Sequence, residues 1–358
     1  MRTGRTRTAV VVGVQAHPVE VEAHVAQGLP HWTIVGLPDT AVSESRDRVR
    51  AAVASSGLPW PTGRITVGLS PASLPKRGSG LDLGIGMAVL AAASNGTDLP
   101  SAERLSRWMF VGELGLDGSV RPVGSVLPAA LAARAGGADC FVVPAASARE
   151  AALVSDLVVL PVHSLQHLWA LLRGEAEPAS DPGDDRWEPE RSLSGSPSQA
   201  AELDLADVRG QEPAKRALAI AAAGGHHLCL VGPAGVGKTM LASRLPSLLP
   251  DLDDDDALAA TAIAAQLEPH RPPQLVRRPP FCAPHHTSTD VVLAIDGGAS
   301  RPGCTSGVPL WPGCWCCDGP PLYAHRRARY RRLPATGANP TESHLGRLEG
   351  SHEPIART

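Results

Sequence analysis

The chain lacks an apolar run long enough to cross a membrane, and it nearly lacks net charge: its 358 residues carry a formal charge of -3. The first absence leaves no candidate transmembrane helix. The second neither favours nor disfavours a nucleic-acid partner. The start, Met1-Arg-Thr-Gly-Arg-Thr-Arg-Thr8, is without the apolar stretch and cleavage site of a secretory signal, so a cytoplasmic protein with no membrane partner is expected. Cysteine is scarce over most of the length, which fits that compartment. Of seven cysteines, Cys140, Cys229 and Cys282 are scattered as small core residues would be, whereas Cys304, Cys314, Cys316 and Cys317 crowd into one short stretch. No Asp-Glu pair occurs after Thr239. Adjacent carboxylates of that kind can hold a magnesium ion and polarise water.

What is present is a phosphate-binding loop, Gly232-Pro233-Ala234-Gly235-Val236-Gly237-Lys238-Thr239. It follows an apolar run, His227 to Val231, that reads as a buried strand, and it precedes Met240 to Leu245 with helical spacing. Glycines at 232, 235 and 237 permit backbone conformations closed to larger residues, so successive amides can face one polyphosphate. Lys238 is placed to reach the outer phosphates, and the Thr239 hydroxyl to hold a magnesium ion shared with them. ATP and Mg2+ are therefore the expected cofactors.

The rest of the chain divides by composition. Strand-like runs Ala9 to Val14, Val19 to Val25, Trp32 to Val35, Ile65 to Leu69 and Cys140 to Val143 alternate with helical stretches Ser43 to Ser55 and Leu81 to Ala93. An α/β domain over residues 1–173 is predicted. Residues 174–200 are too rich in Pro, Ser, Gly and acidic side chains to bury a core, and read as a flexible linker. A nucleotide-binding segment over 201–303 follows. The acidic run Asp251 to Asp256, after Pro250, reads as a helix start rather than a metal site.

Several separated motifs then converge. Asp204-Leu-Ala-Asp-Val-Arg-Gly-Gln211, Ala217-Leu-Ala-Ile-Ala-Ala222, Gly224 through Leu241 and Ala283-Pro-His-His-Thr287 resemble the YifB/ComM family of magnesium-chelatase-like AAA+ ATPases. Leu37 to Val49, Leu74 to Leu83 and Val111 to Val123 are similar to that family's first domain, which shares the fold of the Lon proteolytic domain. The resemblance covers about residues 8–303. It implies a Lon-like α/β domain followed by a partial P-loop AAA+ domain, and an ATP-driven motor, usually a homo-hexameric ring, acting on branched DNA during natural transformation. Magnesium-chelatase activity is implied only through the shared ATPase module.

A Lon-like domain raises the question of proteolysis. Laying Leu74 to Asp82 over Lon's serine segment puts Gly80 at the nucleophile, with Ser79 one place early; laying Val123 to Leu127 over its lysine segment puts Leu127 at the base. Both catalytic positions are empty, and Ser79 reads as a polar loop residue. Lys76 and Arg77 read as solvated surface rather than a DNA contact. Cys282, His285 and His286 have no second ligand pair at a zinc spacing, and the resemblance assigns the histidines membership but no chemistry.

Val291 to Asp296 is an apolar run ending on a carboxylate, but the next residue is Gly297, so Asp296 reads as part of a turn rather than a magnesium ligand. Beyond Gly303 the pattern changes. Residues 304–358 read as an aberrant, disordered tail, with Cys314, Cys316 and Cys317 too close for paired zinc ligands and Arg326 to Arg332 as a basic run. A shifted reading frame accounts for this text, because alternating Val and Leu codons read one nucleotide late spell Cys and Trp. On this reading the chain binds ATP with impaired hydrolysis; the alternative is a non-enzymatic truncated product with only its first domain folded.

Overall fold

The computed structural model describes residues 2–94, 100, 102–124, 126–179, 203–226, 228–233, 235–267 and 274–281. Strands β1 (Arg2–Val12) and β2 (Gln15–Ala26) form a long antiparallel hairpin, Arg2 opposite Val25 and Val12 opposite Gln15. Along β2 the buried Val19, Val21 and Ala23 alternate with Glu20, Glu22 and His24. This period of two turns one face to the core. Next come β3 (His31–Val35), helix α1 (Thr40–Ser55) and β4 (Arg64–Ser70). Because β3 and β4 run parallel, a crossover must join them, and α1 supplies it. Its start is fixed by Asp39, whose Oδ1 accepts from the Val42 amide at 2.8 Å.

Helix α2 (Asp82–Ala93) lies against β1 and is buried along nearly its whole length. The approach is close enough to require glycine on the strand. A Cβ on Gly4 would lie 2.1 Å from the Ala88 carbonyl oxygen, and Thr6 Oγ1 donates to the Gly84 carbonyl at 2.9 Å. The short helix α3 (Ala102–Ser106) leads to β5 (Trp108–Phe110), and β6 (Glu113–Leu114) and β7 (Val120–Arg121) pair with each other. Then follow α4 (Leu127–Ala135), β8 (Cys140–Pro144), α5 (Ala148–Ala151), β9 (Val159–Val162) and α6 (Leu165–Leu172). The main sheet has seven strands in the order β3-β4-β2-β1-β5-β8-β9. It is mixed, antiparallel across β1–β2 and β2–β4 and parallel across the other pairs.

One core, built from Val21, Val49, Ile65, Leu83, Ile85 and Leu90 among others, fills the space between the sheet and α1 and α2. A second, with Met109, Ala130, Phe141 and Val143, lies under α4 and α5 on the opposite face. The α/β architecture expected of the first domain is therefore present, with β1 starting at Arg2 instead of Ala9. The first residues of the expected linker stay on this domain: the Ala179 amide donates to the Pro161 carbonyl at 3.1 Å, and the His167 ring nitrogen pairs with the Glu177 carbonyl at 2.8 Å. The expected linker from residue 180 onward lies outside the described residues.

The second segment contributes α7 (Glu212–Gly224), α8 (Lys238–Ala242) and α9 (Asp254–Leu267). Val208, Leu218, Ala222, Leu241, Leu245 and Leu249 make a small core between α7 and α8. Helix α9 goes elsewhere, its Leu258 and Ala262 joining the core under α4. The acidic run is a helix start, as expected. Asp253 Oδ1 accepts from the Asp256 amide at 2.8 Å, while Asp254, Asp255 and Asp251 pair with Arg277, Arg134 and Arg278 respectively.

Candidate nucleotide site

The phosphate loop is assembled from the end of α7 onward. Gly225, at φ 59°, closes α7 in the left-handed region that glycine reaches without strain. Gly235 and Gly237 have φ of 83° and 90°, conformations that a side chain at either position would oppose. Gly232 is constrained by space as well, since a Cβ there would meet Val236 Cγ2 at 3.1 Å. Lys238 opens α8 and turns back over the loop, its Nζ donating to the Gly232 and Pro233 carbonyls at 3.0 and 2.9 Å. The Thr239 side chain is exposed beside it. Ala234 lies outside the described residues.

Two features differ from the sequence reading. Residues 228–231 form no strand, and Val231 is 91% exposed, although an apolar buried strand was expected. A strand exists only by pairing its backbone groups with a neighbour, and among the described residues 203–281 there is no second strand to supply one. The following helix is also shorter than its spacing suggests. It stops at Ala242, Arg244 donates to the Met240 and Asp204 carbonyls, and a 3-10 turn takes over at Leu245–Leu248.

In the segment aligned by sequence with Lon's serine motif, Ser79 Oγ donates to Glu113 Oε2. Sequence reasoning treated Ser79 as solitary and missed Glu113, which lies on β6, far away in the chain. Gly80 stands against Val123, and Leu127 is wholly buried in the second core at the start of α4. The residue aligned by sequence with Lon's lysine is thus part of the apolar core. Asp82 follows at the start of α2, fully buried, with its carboxylate held by Arg48 Nε at 2.7 Å and Nη2 at 3.0 Å and by the Leu114 amide at 3.3 Å. Burial pushes the Asp82 carboxyl up, while the Arg48 donors and the Leu114 amide pull against it; bonding to Asp82 raises Arg48.

Lys76 corrects an expectation outright. It is not surface: its side chain has 0% exposure, Nζ donates to the Pro71 carbonyl, and its backbone is tied to Leu37 and Asp39. The loop from Pro71 to Gly78 closes over it, whereas Arg77 is exposed. Burial pushes the Lys76 amine below its ordinary 10.5. Between the lowered value and 10.5 the unfolded chain binds more protons than the folded one, so stability rises with pH in that window. A Lys76→Met variant should therefore be at least as stable as wild type at pH 7, because Pro71 is exposed and its carbonyl can bond water. Denaturant midpoints measured from pH 7 to 10 should converge, and a strongly destabilised methionine variant at neutral pH would contradict this account.

Other candidates are not brought to the loop. No group of three His, Cys, Asp or Glu among the described residues could hold a metal ion, and no helix among them is long and apolar enough to span a membrane. Cys282, His285, His286, Asp296, the cysteines from Cys304 to Cys317 and the basic run from Arg326 lie outside the described residues. Cys140 is buried, with its thiol pushed up to about 12 by desolvation, and Cys229 is exposed ahead of the loop.

Two family models match the chain. The model for subunit ChlI of Mg-chelatase matches residues 21–147, and that for magnesium chelatase, subunit ChlI, matches residues 204–308, a little past Gly303. An uncharacterized protein of Mycobacterium tuberculosis is 46% identical over 310 residues, covering 86% of this chain and 58% of that protein. YifB of Escherichia coli is 41% identical over 296 residues, covering 83% and 55%. Competence protein ComM of Haemophilus influenzae is 39% identical over 292 residues, covering 82% and 55%. The chain thus spans somewhat over half the length of these relatives.

Proposed function

We propose, for a chain that belongs to the magnesium-chelatase ChlI family of YifB and ComM, that it binds ATP with Mg2+ at Gly232–Thr239 and turns it over poorly. The observation carrying this is the loop itself: Gly235 and Gly237 in left-handed backbone, with the Lys238 ammonium lodged on the Gly232 and Pro233 carbonyls. The residues present fit the nucleotide. The loop keeps side chains out of the space where its amides must approach phosphate, Lys238 has the charge to exchange two carbonyls for phosphate oxygens, and Thr239 offers an exposed hydroxyl for the metal. When bound, Mg2+ neutralises charge on the outer phosphates. What supports poor turnover is that residues 240–358 contain no Asp-Glu pair.

In the wider role, the family resemblance supports an ATP-driven cytoplasmic motor that works on branched DNA as a homo-hexameric ring, and one relative of the chain bears the name competence protein. The first domain serves as a non-proteolytic, Lon-like partner to the ATPase. A second reading, a non-enzymatic product folded only over its first domain, is favoured by the unpaired segment 228–231 and the exposure of Val231. A shifted frame after Gly303 would account for it, and sequencing the gene across codons 295–335 tests that directly.

Titrating the purified 358-residue chain with a fluorescent ATP analogue and assaying phosphate release separates the readings. Binding with near-background turnover is expected. No affinity for a magnesium-bound adenine nucleotide by a folded chain would overturn the proposal, and robust hydrolysis would overturn its second half.

A further inference from the structure

The segment ahead of α7 is tied at one end to the turn that follows α8 and at the other to the phosphate loop. At one end Arg244 Nε, from beyond α8, donates to the Asp204 carbonyl at 2.9 Å. At the other, Gln211 Nε2 donates to the Val236 carbonyl at 3.4 Å. Between them Val208 is buried in the core shared with Leu241 and Leu245. The chain reaches Gln211 through two successive left-handed residues, Gly210 at φ 69° and Gln211 at φ 59°. That conformation is unfavourable for glutamine. It persists where the surroundings hold it, and here the Gln211 carbonyl accepts from the Lys215 amide at 3.0 Å as α7 begins.

A consequence follows from the planarity of the peptide group. Ser70-Pro71 is the cis bond of the described residues, so the Val236-Gly237 peptide is trans, and its carbonyl and the Gly237 N–H point to opposite sides. Holding the Val236 oxygen toward Gln211 therefore aims the Gly237 amide away from Gln211. Gly237, at φ 90°, is itself free to rotate that plane, and a loop of glycines needs an outside contact to settle it. We infer that Gln211 is a positioning residue of the phosphate loop, its carboxamide fixing the Val236-Gly237 peptide so that the Gly237 amide is preset to bond a polyphosphate oxygen. The inference rests on the nucleotide reading above.

The test compares inorganic tripolyphosphate with ATP, both with Mg2+, on the full chain and its Gln211→Gly, Gln211→Asn and Gln211→Ala variants. Glycine relieves the left-handed backbone while removing the side chain, and asparagine tolerates that backbone but is one methylene too short. Both should melt at or above the wild-type temperature. Each should nevertheless bind tripolyphosphate and ATP more weakly by the same factor, roughly threefold to tenfold, the worth of one hydrogen bond. Alanine should lose affinity equally and melt lower. Wild-type affinity for tripolyphosphate in the glycine and asparagine variants would overturn the assignment. So would a loss confined to ATP, since the side chain would then be reading the nucleoside rather than presetting the loop. Failure of the wild-type chain to bind either ligand overturns the nucleotide reading and this inference with it, whereas wild-type binding with unchanged variants overturns only the role of Gln211.

Discussion

Replacing Asp82 by alanine is expected to lower the stability of the first domain by about 3 kcal/mol, a fall in melting temperature of roughly 6–12 °C. Asp82 is 0% exposed and its two oxygens are taken by Arg48 and the Leu114 amide, so truncation leaves a guanidinium and a buried N–H without their acceptor. The cost falls at the lower end of what breaking a buried pair brings. Arg48 keeps 20% exposure and lies 3.7 Å from Glu44, so its charge can be partly re-solvated and re-paired. The pair matters because it joins α1 to the first turn of α2, the helix around which the larger core is built. A double replacement, Arg48→Leu with Asp82→Leu, should recover part of the loss, because it leaves no orphaned charge, while the Leu114 amide still lacks its acceptor and the larger leucine side chain at position 82 must be packed. Calorimetric melting of the two variants decides the matter. A single alanine variant as stable as wild type would show that the pair contributes nothing, and a double variant worse than the single one would show that the charges themselves are needed.

Much of this domain was legible because its burial follows simple periods. Val19, Val21 and Ala23 alternate with acidic residues and could belong only to a half-buried strand, and α2 is apolar over enough turns to be called a helix. The N-terminal half of β1 was not legible. Its inward positions are Gly4, Thr6 and Thr8, and its outward positions are Arg5 and Arg7, so no apolar period exists there. Those residues are inward because α2 presses on them, a contact between segments far apart in the chain. Lys76 was misread for a related reason. Two adjacent cations look like surface, and only the closure of the loop from Pro71 to Gly78 determines that one of them is inside. The glycine-rich loop was legible in its local backbone and less so in its setting. Glycine spacing and Lys238 come from local rules, whereas the strand ahead of the loop depends on a neighbouring strand that the described residues of this segment do not provide. Nor could spacing reveal Gln211 as a partner of Val236, because the bond crosses the whole of α7.

Lys238→Ala is expected to reduce ATP affinity by roughly ten- to a hundredfold, which would put binding below detection for a weak site. The reasoning begins with charge. Lys238 Nζ is held near the mouth of the loop by two carbonyl oxygens, at 3.0 and 2.9 Å, and it gives up neutral acceptors for anionic ones when phosphate arrives. Charge-assisted hydrogen bonds are worth roughly 1.5–3 kcal/mol, and the loss of one sets the expected factor. Alanine removes them with little damage to the fold, since the Lys238 side chain lies outside the small core of α7 and α8. Lys238→Arg is the sharper comparison: it keeps the charge, but its planar fork replaces a compact ammonium at a loop shaped around a point donor. Arginine should therefore recover part of the binding and all of its steep weakening with added salt, whereas alanine should show a shallower salt dependence. Equilibrium titration at two ionic strengths, with melting temperature as the folding control, distinguishes these outcomes. An alanine variant that is folded and binds ATP like wild type would remove the phosphate loop from the account of this protein.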